Sequence, residues 1–300
     1  MIPLFDLHCD TFSEIFKNNY RLHDAPLHVS LKKAQGFSPY IQVCAIWSDY
    51  HLSNDEAYEH YKKTLSYIKN QNITLCKNYH EFSKLSFILA IEDARILNNQ
   101  LQRLDALYDN DVRVITLNWS GVTCIGGGWD TNVGLTAFGT SVIKGCAEKG
   151  IIVDLSHSSA KTQEETLNLA QELKVSPIFS HSNSYSICKH GRNISDDIFK
   201  KIVSQDGLVG ISLYPLHLNI HGNANTESII SHIEHFLNLG GAKNICLGCD
   251  FDGITSLPYG ITSISSLASL YILIEKKFSE QIAKRIFFYN AYEFFSKNLK

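Results

Sequence analysis

The sequence predicts an α/β fold, a (β/α)8 barrel of the TIM type, formed by residues 1–300 as a single domain. Three observations lead there. Eight short apolar runs are spread evenly along the 300-residue chain. The segments between them carry helical spacing. The runs that bear chemically capable side chains bear them at their C-terminal ends, the rim on which such barrels place their sites.

The runs cover residues 4–10, 40–47, 85–92, 112–119, 151–157, 177–181, 208–214 and 244–250. Each is short and mostly apolar, as parallel strands covered on both faces must be. Between them, residues 55–70 set Ala57, Tyr61, Leu65 and Ile68 on one helical face. Residues 138–149 do the same with Val142 and Cys146, residues 160–173 with Thr162, Thr166, Leu169 and Leu173, and residues 226–239 with Ile229, Ile233 and Phe236. A final helix over 279–295 starts at Ser279, a good cap, with Glu280 in the first turn. An open doubly wound sheet is the alternative, and the even spacing of eight runs favours closure. No internal repeat, low-complexity tract or dividing linker interrupts the pattern.

Composition excludes several function classes. The chain is 44% hydrophobic and 19% charged, which is ordinary for a globular protein. Its 27 basic and 30 acidic side chains give a net charge of −3 without long like-charge runs, so no nucleic-acid-binding face is expected. The most apolar stretch, residues 267–274, is far shorter than the ~20 residues of a membrane span. No basic and apolar leader opens the sequence, and no hydrophobic tail ends it, so a cytoplasmic protein without membrane attachment is expected. The eight cysteines are then expected as free thiols.

The chemistry lies at the run ends. His8 and Asp10 close the first run, and alternation in a strand turns both to one face and Cys9 to the other. An imidazole beside a carboxylate suits a divalent metal, although a buried hydrogen-bonded pair has the same pattern. Glu92 closes the third run, His157 the fifth and His181 the sixth. In a barrel these ends converge. Five donors exceed the three that one catalytic zinc uses, so two Zn2+ ions sharing Glu92 fit better, with His8 and Asp10 on one and His157 and His181 on the other. Manganese or iron would also suit the donors. Such a pair can activate water and polarise a carbonyl. Asp250, ending the eighth run, is the candidate general acid/base, whereas Asp252 in Asp250-Phe251-Asp252-Gly253 suits a turn role.

These residues give the chain its resemblance. Asp6-Leu7-His8-Cys9-Asp10-Thr11, Glu92, Gly134-Leu135-Thr136-Ala137-Phe138-Gly139, Asp154-Leu155-Ser156-His157-Ser158, Ser180-His181-Ser182-Asn183, Gly191-Arg192-Asn193 and Gly248-Cys249-Asp250-Phe251-Asp252-Gly253 occur in order from end to end. In this the chain resembles the membrane dipeptidase (renal dipeptidase) family of metallopeptidases, within the amidohydrolase-like barrels. The resemblance implies a binuclear zinc dipeptidase that accepts a D-residue on the C-terminal side. It implies the same five ligands, Asp250 as the catalytic aspartate, and Arg192 as the receiver of the substrate's terminal carboxylate. A guanidinium fork meets a carboxylate well. Asn193, Tyr214 and Trp119 complete the substrate-binding candidates. The sequence departs from the family at Trp119, where well-studied members carry a histidine that helps to hold the substrate carbonyl. An indole donates one hydrogen bond and cannot bind zinc. A homodimer is common in the resembling family.

Two further readings stand beside this one, the first motivated by Trp119. One is a metal-dependent hydrolase of another small amide, a lactone or an N-acyl amino acid. The other is a metal-stabilised binding protein without catalysis, against which the full donor set argues. Other signals carry less. Cys246 and Cys249 stand three apart, so in a strand they face opposite sides. His217 and His221 fall in an expected loop at the substrate entrance. Gly126-Gly127-Gly128 lacks the Lys-Ser/Thr of a phosphate loop and is expected to be a mobile rim loop, with Trp129, Asp130 and Asn132 beside substrate. The remaining histidines, His23, His28, His51, His60, His80, His190, His232 and His235, are assigned to surface or packing.

Overall fold

The computed structural model describes residues 1–299. Its eight strands are β1 (Ile2–Cys9), β2 (Phe37–Trp47), β3 (Leu85–Glu92), β4 (Val112–Thr116), β5 (Ile152–Asp154), β6 (Ile178–Phe179), β7 (Leu208–Ile211) and β8 (Ile245–Leu247). They pair in sequence order, all parallel, and β8 returns to β1 to close the barrel. Closure leaves no free sheet edge. Each expected run holds a strand, but from β4 onward the strands stop short of the run ends. Trp119, His157, His181, Tyr214 and Asp250 therefore stand on loops just past the ladder, and Asp10 is the residue that precedes the helix Thr11–Asn18.

Two apolar clusters account for the strand pattern. One takes Phe5, Val43, Ala90, Val114, Ile152, Ile178, Leu208 and Cys246, so every strand contributes to the barrel interior. Phe288, Phe294, Phe295 and Leu299 of the C-terminal segment plug its lower end, with the Phe5 and Phe295 rings 4.8 Å apart. The other cluster packs the outward strand faces, including Cys44, Leu89, Ile115 and Leu247, under the surrounding helices. Cys246 and Cys249 fall in different clusters, as their spacing requires. All eight cysteines are free thiols.

Helices form at Asn54–Lys69, Ala137–Lys149, Ala160–Leu173 and Thr226–Asn238, close to the expected ranges. The buried face of Ala160–Leu173 is Thr162, Thr166, Leu167 and Ala170, not the expected line through Leu169 and Leu173. The last expected helix is divided into Glu280–Lys284, a π-helical turn Arg285–Tyr289 and Asn290–Asn298, and Ser279 caps its start by accepting from the Ile282 N–H. Among the described residues no helix is long and apolar enough to cross a membrane.

The Gly126–128 segment corrects the expectation of a mobile loop. The Gly128 N–H donates to the Gly121 carbonyl at 2.7 Å, and the Ser159 N–H donates to Gly127 at 2.9 Å. A β-carbon on Gly127 would lie 2.3 Å from the Val133 carbonyl oxygen. The glycines are there for close packing of backbone on backbone.

Candidate metal centre

A bulge positions the first donor. Between Asp6 and Cys9 the β1–β2 register slips, so β1 spends an extra residue where β2 does not. This turns His8 inward, alongside the interior face of Leu7, and leaves Cys9 facing Cys44 in the outer layer. Asp10 follows inward. The His8 Nε2 lies 3.3 Å from Asp10 Oδ2, 3.5 Å from Glu92 Oε2 and 3.9 Å from Asp250 Oδ1.

Glu92, the last residue of β3, divides its carboxylate. Oε2 faces His8, whereas Oε1 lies 3.0 Å from His157 Nε2 and 3.6 Å from His181 Nε2. Two donor groups share Glu92, His8–Asp10–Glu92 and Glu92–His157–His181, and a third, His8–His181–Asp250, lies between them, each with its ligand atoms within 4.8 Å of one another. Glu92 turns a different oxygen to each of the first two.

The tautomers test the fit of a cation. The His157 Nδ1 is 3.2 Å from the Trp119 carbonyl oxygen, which can only accept, so Nδ1 carries the proton. Ser180 Oγ donates to Asp154 Oδ2 at 2.6 Å and therefore accepts from His181 Nδ1 at 2.8 Å. Both rings are thus left with a bare lone pair on Nε2, and these two atoms are 2.9 Å apart. Two lone pairs so close repel one another unless a cation lies beside them. The residues present fit a metal, and the partners on Nδ1 fix the ligand tautomers.

Charge follows the same logic. Burial, then the Arg192 charge, lowers His157 to about 4, and burial holds His181 well below its ordinary value. Burial opposes ionisation of Glu92, but the charge of His8 beside it outweighs that and keeps Glu92 well below the usual carboxylate range. Burial, with repulsion from Glu92, raises Asp10 to about 7. Burial also holds Asp250 well above the carboxylate range, with Asp10 and Glu92 adding and His8 and Arg192 opposing.

Two site residues sit in the left-handed region, His157 at φ 66° and Asp250 at φ 60°. Such backbone persists only where the surroundings enforce it. For Asp250, its N–H donates to the His8 carbonyl at 3.1 Å, and the Asp10 N–H donates to the Phe251 carbonyl at 2.9 Å. Asp252, the expected turn residue, accepts from Thr11 Oγ1 and the His28 N–H, both at 2.6 Å. Gly253 is required below them, since its β-carbon would lie 2.1 Å from Asp10 Oδ2 and 2.6 Å from Asp250 Oδ1.

The substrate-side candidates are less uniform. Arg192 is buried, its Nη2 reaches only the His181 carbonyl at 3.4 Å, and its Nε has no partner among the described residues. A buried guanidinium so poorly satisfied is prepared for an anion. Asn193 turns its amide nitrogen to the Cys188 and His217 carbonyls, both at 2.8 Å, which ties the loop together. Tyr214 is half-buried, edge-on to His217 at 4.8 Å. His217 is not in a loop, as expected, but on the short helix Pro215–Leu218, buried against Ser212 Oγ, and His221 stands outside it, exposed. The His190 ring links His217 at 4.8 Å to Trp129 at 5.6 Å. Trp119 stacks on His157 with centroids 5.9 Å apart and planes 27° apart.

The residues that sequence reasoning missed hold the donors in place. Asp154 accepts from the Ser156 and Ser180 N–H groups at 2.9 and 2.8 Å, and from Thr116 Oγ1 and Ser180 Oγ, both at 2.6 Å. It fastens the ends of β4, β5 and β6 at once. Asp6 accepts from the Cys249 N–H at 2.8 Å, directly before Asp250. The available signal was a carboxylate inside an apolar run, which burial obliges to find donors.

Comparison with known proteins gives the family and the fold. A family profile, membrane dipeptidase (peptidase family M19), matches residues 1–297. An uncharacterized dipeptidase of Schizosaccharomyces pombe is 32% identical over 200 residues, covering 64% of this chain and 48% of its own. The chain spans about half the length of the curated relatives it matches. Two solved structures share the fold over 99% of both chains at 21% identity. They are the dipeptidase AC, a metallo peptidase, with a TM-score of 0.92, and a metallo peptidase from Rhodobacter sphaeroides liganded with a phosphinate mimic of L-Ala-D-Ala, at 0.90.

Proposed function

The chain belongs to the membrane dipeptidase family, and from that premise we propose that it is a dipeptidase with two metal ions, zinc by its donor set, acting on small dipeptides. The observation that carries this reading is the division of Glu92, one oxygen toward His8 and Asp10 and the other toward His157 and His181. When bound, such a metal pair supplies an activated water and an electrophile for the scissile carbonyl.

The chain's own residues do the rest. Arg192 binds the free C-terminal carboxylate, which limits substrates to lengths that bring that group to the guanidinium. Asp250, beside His8 and within reach of the same space, accepts the proton of the attacking water and returns it to the leaving amine. Ser180 and the Trp119 carbonyl hold the His181 and His157 rings. The relative liganded with an L-Ala-D-Ala mimic supports acceptance of a C-terminal D-residue.

The test is release of free amino acids from a panel of L,L- and L,D-dipeptides, with metal content measured alongside. Full loading without turnover of any dipeptide would remove the reading. Trp119, stacked on His157 where an imidazole is found in the family, favours one alternative: hydrolysis of another small amide, a lactone or an N-acyl amino acid. Turnover of such a substrate that an Arg192→Ala change leaves intact would identify it.

A further inference from the structure

A cavity of about 520 Å³ opens against the tops of β2, β3 and β4, and the mechanism above does not use it. Trp47, Tyr50, Leu52, Trp119 and Val122 form an apolar, mainly aromatic wall on one part of it, beside the polar groups of Asn54, Asn99, Ser120 and Thr123. The Trp119 ring lies 5.5 Å from Trp47 and 5.9 Å from Tyr50, nearly parallel to the latter at 13°. Its other neighbour is His157, and Trp47 pairs in register with Glu92. The cavity therefore adjoins the metal centre, and Trp119 belongs to both.

The charges in this cavity are already engaged. Asp93 accepts from the Arg95 N–H at 3.0 Å and pairs with Arg95 Nε at 3.6 Å. The Arg95 guanidinium donates to the Leu52 and Asp49 carbonyls, both at 2.8 Å, and to Ser48 at 3.2 Å. Arg95 thereby fastens the loop that carries Tyr50, and no charge is left to attract an ionic side chain. Tyr50 and Val122 remain 58% and 63% exposed, apolar surface that a ligand would cover.

The order of strands gives the direction. Arg192 follows β6 and touches the His181 carbonyl. The cavity lies at β2–β4, on the other side of Glu92. A dipeptide with its carboxylate on Arg192 and its amide over Glu92 extends its N-terminal residue toward Trp119.

We propose that this cavity receives the side chain of the substrate's N-terminal residue and selects an uncharged aromatic one. The inference rests on the dipeptidase reading and adds a specificity that the family assignment does not contain. Rings packing on rings favour planar side chains beyond simple area burial.

The experiment measures kcat/KM for Phe-Ala, Gly-Ala, Lys-Ala, Glu-Ala and Ala-Phe with the metal-loaded protein and its Tyr50→Ala and Trp119→His variants. Wild type is expected to prefer Phe-Ala over Gly-Ala on the order of 10-fold or more, with Lys-Ala and Glu-Ala poor. Tyr50→Ala, at an exposed position that folding does not depend on, should bring the Phe-Ala to Gly-Ala ratio toward one, mainly through KM. A ratio near one in wild type, a ratio unmoved in both variants, or a preference for Ala-Phe would overturn the subsite while leaving the dipeptidase reading standing. Hydrolysis of none of the five overturns both.

Discussion

The two halves of the barrel hold their donors by different means. In the first half the strands are long, and backbone pairing carries the site. Glu92 is the last residue of β3 and pairs with Trp47 and Thr116 on either side, while His8 rides on a bulge near the end of β1. In the second half β5, β6 and β8 are two or three residues long, and His157, His181 and Asp250 lie beyond them. There the ladder is replaced by buried side chains, with Asp154 gathering β4, β5 and β6 and Asp6 fixing the approach to Asp250. A strand holds its end residue through many weak equivalent bonds. A loop held by one carboxylate depends on that carboxylate.

This contrast can be broken by substitution. The largest effect is expected at the residue that carries the proton. Asp250→Asn should lower kcat on the order of 10²- to 10⁴-fold with metal content retained, checked by steady-state kinetics beside elemental analysis. Next is Arg192→Met, which removes charge-assisted hydrogen bonds worth about 1.5–3 kcal/mol. That corresponds to a rise in KM of roughly 10- to 100-fold, and a dipeptide amide lacking the carboxylate should be insensitive to the change.

Asp154→Asn addresses the comparison itself. It keeps the volume but disturbs the network behind His181, and should weaken metal affinity by roughly 10- to 100-fold. The loss should fall on the His157–His181 side, so dialysis against a mild chelator should remove one ion before the other. Equal loss of both would mean that the two halves are held as one unit.

The smallest expected effect is that of pH on the metal-free protein. Burial lowers His157 to about 4 in the folded chain, against about 6.5 when unfolded, and lowers His181 as well. Between these values the unfolded state binds protons that the folded state does not, so the histidine contribution to stability falls as pH falls from about 6.5 to 4. Asp10 and Asp250, raised by burial, act in the opposite direction over the same window, so the histidine contribution is read by difference: the chelated His157→Gln variant should lose less melting temperature on acidification than the unsubstituted chelated protein, and equal losses would contradict the burial argument.

Much of this was legible in the sequence for a physical reason. Buried parallel strands must be apolar, so a Glu, His or Asp at the end of such a run stands out. The eight strands and the convergence of His8, Asp10, Glu92, His157, His181 and Asp250 follow from that signal. What stayed hidden depends on contacts distant along the chain. Alternation does not reveal the bulge that turns His8 inward, because the slip is defined against β2. Nor does Asp154 declare its role, since its partners Thr116 and Ser180 lie on two other strands. The tight packing of Gly127 is set by Val133 and Thr131, not by its own neighbours.

The central claim is that Glu92 joins two metal positions into one hydrolytic centre. Stepwise zinc titration of the metal-free protein, with dipeptide hydrolysis followed at each addition, tests it most directly. The account predicts binding that saturates at about two equivalents, with full activity reached only when both are bound. Saturation at one equivalent, or two bound ions with no hydrolysis of any dipeptide, would contradict it.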